Sequence, residues 1–171
     1  MGFTQGRGLN PRGAKEGENK MAKQFHISDV LSVTTGRLVS SRHMEGIYEI
    51  LNFLTGDNLF THQLPRAMRE CEPWLRSQFP YLMPDSPQMA GLLERLTADL
   101  AKVSGDRAKI QHVILKWVED VRHEAKPGEV LPEMLPVYEM GAEMHTRIDP
   151  ITEAQAMVGD ASVIAVKLHE D

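Results

Sequence analysis

Residues 89–121 read MAGLLERLTADLAKVSGDRAKIQHVILKWVEDV. Met89, Leu92, Leu93, Leu96, Leu100 and Val103 recur at helical spacing, and after the Gly105-Asp106 break Ile110, Val113, Ile114, Trp117, Val118 and Val121 do so again. Two long amphipathic helices joined by a short turn predict an antiparallel helical hairpin, and so a mainly α fold.

Reading outward toward the N-terminus, Met44, Ile47, Tyr48, Leu51 and Leu54 mark another amphipathic helix that Gly56 ends. Pro65 suits a first helical turn, and Ala67, Cys71, Trp74, Leu75 and Gln78 continue one stripe to Pro80, with Pro73 predicted to kink or divide it. Ser28 is expected to cap a short helix through Asp29, Val30, Leu31 and Val33, closed by Gly36. Leu38-Val39 then forms a brief extended or turn segment.

Toward the C-terminus, Pro127-Gly128 closes the helical body. Leu135, Val137 and Tyr138 predict a short strand, and Asp149-Pro150 starts a helix that runs to about Val158-Gly159. Ser162 to Leu168 (SVIAVKL) is rich in β-branched residues and reads as a second strand. A strand needs a mate: the segment near Leu135 to Tyr138, Leu38-Val39, or another chain, the last making a homodimer an expectation. The fold class is therefore mainly α (α+β), a bundle-like body of about four helices over about 28–125 with a small C-terminal β element in an α/β tail over about 130–171.

The chain of 171 residues, 42% hydrophobic and 25% charged, suits one globular domain over 21–171. Residues 1–20 are Gly- and Asn-rich with almost no apolar side chain and predict a disordered tail. Met21 is a candidate true start, since Lys15-Glu16 can be encoded by a purine-rich ribosome-binding sequence; a short natural tail is the alternative. The net charge of −5 argues against wholesale binding to nucleic acid or to an anionic membrane, and no apolar run is long enough to span one. The single cysteine, Cys71, leaves no disulfide framework and fits a reducing cytoplasm.

Two clusters are candidates for anion binding. Thr34, Thr35, Gly36 and Arg37 combine hydroxyls, a flexible backbone and a guanidinium, though without P-loop spacing, and a glycine helix cap with a solvated arginine is the favoured reading. His62, Gln63 and Arg66, followed by Arg69 and Glu70, sit at a helix start whose free N–H groups also attract anions. The same side chains can instead satisfy backbone groups or pair with Asp57 and Glu70, which is again the favoured reading.

His112 and His123 are three turns apart, too far to share a metal, and His26, His43, His145 and His169 follow no ligand spacing, so neither metal nor cofactor is expected. Cys71 reads as a small core residue, and no catalytic nucleophile with its base is recognisable. Met134, Met140, Met144 and Met157 suit either gap-filling or a partner surface.

The run TTGRLVSSRHMEGIYEILNFLTGDNLFTHQLPRAMRECEPWL, with the later LPV and IDPITEAQAMVG segments, resembles a small family of uncharacterised bacteriophage and prophage proteins. That family has no agreed activity or catalytic residues, so the resemblance implies context: a phage accessory protein in the host bacterial cytoplasm, a class with many inhibitors of host defence, anti-CRISPR proteins included. The expected function is a non-enzymatic binding protein that inhibits a host protein or sequesters a small anionic metabolite. The alternative is an enzyme acting on a nucleotide or phosphate ester, with Arg37 and Arg66 holding the anion and His62 as acid or base. A DNA-binding regulator ranks third, disfavoured by Glu70 and Glu72 beside the arginines of its would-be recognition helix.

Overall fold

The computed structural model describes residues 9–10, 14–15 and 21–158. The fold is mainly α with a small β element. Within the stretch predicted to be a disordered tail, β1 (Leu9–Asn10) pairs antiparallel with β2 (Ala14–Lys15). The main body then runs β3 (Ala22–His26), α1 (Ile27–Thr35), α2 (Met44–Thr55), α3 (Leu64–Gln78), α4 (Pro87–Lys102), α5 (Arg107–Glu124), β4 (Met134–Tyr138) and α6 (Pro150–Val158).

The hairpin forms as its spacing predicts. Ser86 caps α4, its hydroxyl accepting from Met89 N, and Asp106 caps α5, its carboxylate accepting from Lys109 N. Trp117, almost fully buried, donates its indole N–H to Leu92 O at 2.6 Å, which ties α5 to α4. Gly36 and Gly56 end α1 and α2 at φ of 73° and 69°, the left-handed conformation in which a side chain would be strained.

Two expectations need correcting. Ser28 is not the cap of α1: the helix starts two residues earlier, at Ile27, and His26 Nδ1 accepts from Ser28 N at 3.1 Å. Pro73 does not divide α3, because it lies on an exposed face and the carbonyl it leaves unbonded belongs to exposed Arg69, within reach of water.

The strand predicted at Leu135 to Tyr138 forms as β4, and it pairs with β3, which the sequence pattern does not predict as a strand, with Phe25 opposite Leu135 and Lys23 opposite Val137. Phe25, Leu135 and Val137 face the core, where Phe25 meets Phe53 of α2 with ring centroids 5.6 Å apart. On the edge of β4 away from β3, Tyr138 N donates to Gln78 Oε1 and Trp74 Nε1 donates to Tyr138 O, while Pro136 has no N–H to offer. That edge is therefore closed by α3, and Ser162 to Leu168, the second predicted strand, lies outside the described residues.

Candidate functional site

The residues of the His62 cluster are brought together, but by the C-terminal part of the chain. Arg66 Nε and Nη2 donate to the two carboxylate oxygens of Glu153 on α6 at 2.7 and 2.8 Å. Its Nη1 donates to Glu70 Oε2 at 2.9 Å and to Thr146 O at 2.7 Å. A guanidinium has five N–H donors, and four are engaged, so the fork has been filled from within.

Gln63, almost fully buried, is likewise satisfied. Its Nε2 donates to Ile148 O and Glu153 Oε1, and its Oε1 accepts from Phe60 N. His62 Nε2 lies 2.9 Å from Pro150 O, a carbonyl that can only accept, so that nitrogen carries the proton. Beside them His145 is held between two carboxylates, Nδ1 2.5 Å from Glu70 Oε1 and Nε2 2.9 Å from Asp57 Oδ2. Both bonds are made at once when the imidazole carries both protons. Arg147 adds bonds to Asp57 and to Gly56 O.

These contacts form a polar clasp that fastens residues 145–153 to the start of α3. For Asp57, burial raises the carboxyl pKa, but the His145 bond, the Asn58 N–H and Arg147 outweigh it and the net direction is down. Glu153 is lowered chiefly by Arg66, against burial, with Gln63 helping. A carboxylate with a depressed folded pKa adds stability that is complete above its unfolded value and disappears as pH falls through the folded one. The urea midpoint is accordingly expected to be flat above about pH 5 and to fall below about pH 4, less steeply in Asp57→Asn; equilibrium unfolding across that range checks this.

The TTGR cluster is a helix end. Thr34 and Thr35 donate their hydroxyls to Leu31 O, Thr35 Oγ1 accepts from Arg37 N, and Gly36 N–H closes on Ser32 O. Arg37 is exposed and lines a shallow cavity of about 490 Å³ against Pro84, Leu93 and Glu94. No hydrogen bond or ion pair among the described residues joins Arg37 to His62 or Arg66, and the cavity that Arg37 lines includes neither of them.

A different site emerges where α1 is buried on all sides yet carries Ser28, Asp29 and Ser32. Buried polar groups must find partners, and these find the loop that follows. Ser32 Oγ accepts from Val39 N at 2.9 Å, Ser28 Oγ accepts from Ser41 N at 3.3 Å, and Asp29 accepts from Ser40 Oγ at 2.5 Å and from Arg42 Nη2 at 2.7 Å. Arg42 also reaches Glu49, which Lys23 shares. Those two cations, Lys23 before Arg42, hold the Glu49 pKa down.

The loop so fixed stands opposite the exposed side of α5 and encloses with it a cleft of about 910 Å³. Leu38, Ile110, Ile114 and Leu115 supply apolar walls, with Leu38 and Leu115 45% and 52% exposed. His26, Ser41, His43, Arg107 and Gln111 supply polar ones. His43 sits at the head of α2 with φ 57° and ψ −136°, a strained conformation for a residue with a side chain. Sequence reasoning missed this cleft, although a short apolar helix with polar residues at 28, 29 and 32 signals that something polar must pack against it.

Among the remaining candidates, Cys71 is fully buried and its thiol is pushed up to about 12 by burial, aided by Glu70, which makes it a core residue. His112 and His123 are exposed on α5. Among the described residues no three His, Cys, Asp or Glu side chains are grouped to hold a metal, and no helix is long and apolar enough to cross a membrane.

Residues 25–85 match the model of a domain of unknown function, DUF7736. The matched stretch contains α1, the 38–43 loop, α2 and α3, one wall of the cleft and one half of the clasp, whereas α5 and α6 fall outside it. No curated protein and no solved structure matches the chain. Over residues 25–85 the chain is thus similar to that domain family.

Proposed function

We propose that this protein is a non-catalytic binding protein of the phage accessory class, working through the cleft between the 38–43 loop and α5 to occupy a host factor or sequester a small molecule. The observation that carries the reading is that exposed apolar side chains, Leu38 and Leu115, and polar side chains with no partner among the described residues line one cavity. Binding sites of this kind are apolar concavities with a few polar groups.

The phosphate-ester enzyme reading draws less support. Arg66 and His62 hold the C-terminal segment, and Arg37 shares no site with them. The closest pairing of a hydroxyl with a histidine, Ser28 Oγ at 2.8 Å from His26 Nδ1, lies at a hydroxyl buried beneath the loop.

Tagged protein incubated with bacterial lysate, with bound proteins and metabolites read by mass spectrometry, tests the reading. The species captured by the wild type is expected to be lost with Leu115→Glu and kept with exposed α3 changes such as Arg69→Ala. Capture indifferent to Leu115→Glu and lost with Arg69→Ala would overturn it.

A further inference from the structure

We propose that the cleft takes a small organic anion, a carboxylate or similar group carried on an apolar body, an assignment of ligand class that rests on the cleft being the binding site. Arg42, Arg66, Arg76, Arg95, Arg122 and Arg147 each meet at least one carboxylate, whereas the side chains of Arg37, Arg69 and Arg107 meet none among the described residues, and of these three Arg107 alone lines the cleft. Arg107, which lines the cleft, has no hydrogen bond or ion pair to any described residue, nor have the side chains of His43, Ser41 and Gln111 on the same lining.

The acids of the cleft are differently placed. Glu119 and Glu133 both lie against Arg122, at 2.7 and 3.8 Å, which offsets part of their charge. His26 Nδ1 accepts from Ser28 N, which leaves the proton of the neutral ring on Nε2 as a further donor. The unpartnered polar groups of the lining are thus one cation, Arg107, and the side chains of Ser41, His43 and Gln111, each of which can donate as well as accept, in a chain whose net charge is −5.

The apolar part of the ligand follows from the other wall. Leu38, Ile110, Ile114 and Leu115 present aliphatic surface with no aromatic ring among them, which suits an alkyl or alicyclic body. A cavity of about 910 Å³ has the capacity of a small-molecule site and greatly exceeds one inorganic ion. The head group meets Arg107, Gln111 and His43, and the body lies along α5.

Octanoate, octanol and octyltrimethylammonium share one chain and differ in head group, so titrating each while observing the methyl signals of Ile110, Ile114 and Leu115 separates the two contributions. Octanoate is expected to bind most tightly and to weaken about tenfold in Arg107→Gln, with octanol unchanged by that substitution. Leu115→Gln should weaken octanoate and octanol alike. If octanol or the ammonium binds as tightly as octanoate, or if Arg107→Gln leaves octanoate unchanged, the cleft binds ligands but the anion assignment falls. If none of the three perturbs the cleft methyls, the binding-site reading falls with it. Both variants change exposed side chains on α5, and unchanged amide spectra away from the cleft confirm that they fold.

Discussion

Arg66→Ala is expected to destabilise the protein by about 3 kcal/mol, because the substitution leaves the almost buried Glu153 carboxylate without its bidentate partner. For a chain of this size that is a fall in melting temperature of about 6–12 °C. Glu70 and the Thr146 carbonyl lose a donor at the same time, so the damage should spread along residues 145–153 while α4 and α5 stay intact. Arg66→Lys should recover only part of the loss, since an ammonium cannot make the paired bonds of a planar fork. Thermal unfolding of the three proteins, followed by circular dichroism, checks the order wild type, lysine, alanine. An arginine held in reserve for an exogenous anion would show the reverse pattern, with stability almost untouched.

Gly46→Ala should be nearly as harmful, by overpacking. A Cβ at residue 46 would lie 2.9 Å from Asp29 Cγ and nearer still to Asp29 Oδ1 and Ser40 Oγ. Asp29 is 1% exposed and cannot move without giving up Ser40 and Arg42. The expected loss is about 3 kcal/mol, from overpacking together with a displaced buried charge. Gly36→Ala, at positive φ but with open space around it, should lose only about 1 kcal/mol. Since Gly46 and Asp29 share one volume, Gly46→Ala combined with Asp29→Ala should be less damaging than the sum of the two, and urea unfolding of that cycle measures the difference. The same variant is expected to loosen the 38–43 loop, and with it one wall of the cleft.

The two sites differ in how far they could be read from residues alone. Helical periodicity located α2 to α5, and the Asp149-Pro150 pair located α6, because each depends on neighbours in sequence. Gly36 and Gly56 were legible for the same reason. The mate of β4 was not, because Ala22–His26 has no apolar alternation and gains its strand form from pairing with a segment more than a hundred residues away. His62, Gln63 and Arg66 stood out correctly as residues with something to hold. What they hold, residues 145–153, is remote in sequence, so an arginine awaiting an anion and an arginine already holding Glu153 look alike until the chain is folded.

The cleft was hidden for a related reason. Its walls come from a loop fixed by Ser28, Asp29 and Ser32 and from α5, where Ile110, Ile114 and Val118 of the apolar stripe line it together with Leu115, Arg107 and Gln111 from outside the stripe. Leu115 lies outside the apolar stripe that identified α5 and is exposed in the fold. A residue off the stripe reads as noise in a periodicity argument, and here it lies in the lining of a cavity where unpaired donors and aliphatic surface meet.

The central claim is that the HQLPR residues fasten the C-terminal segment. Hydrogen exchange of the amides in residues 145–153, compared between the wild type and Arg66→Ala, tests it most directly. Protection in the wild type that is lost in the variant, with α4 and α5 unchanged, is the predicted result; amides that exchange freely in both proteins would contradict it.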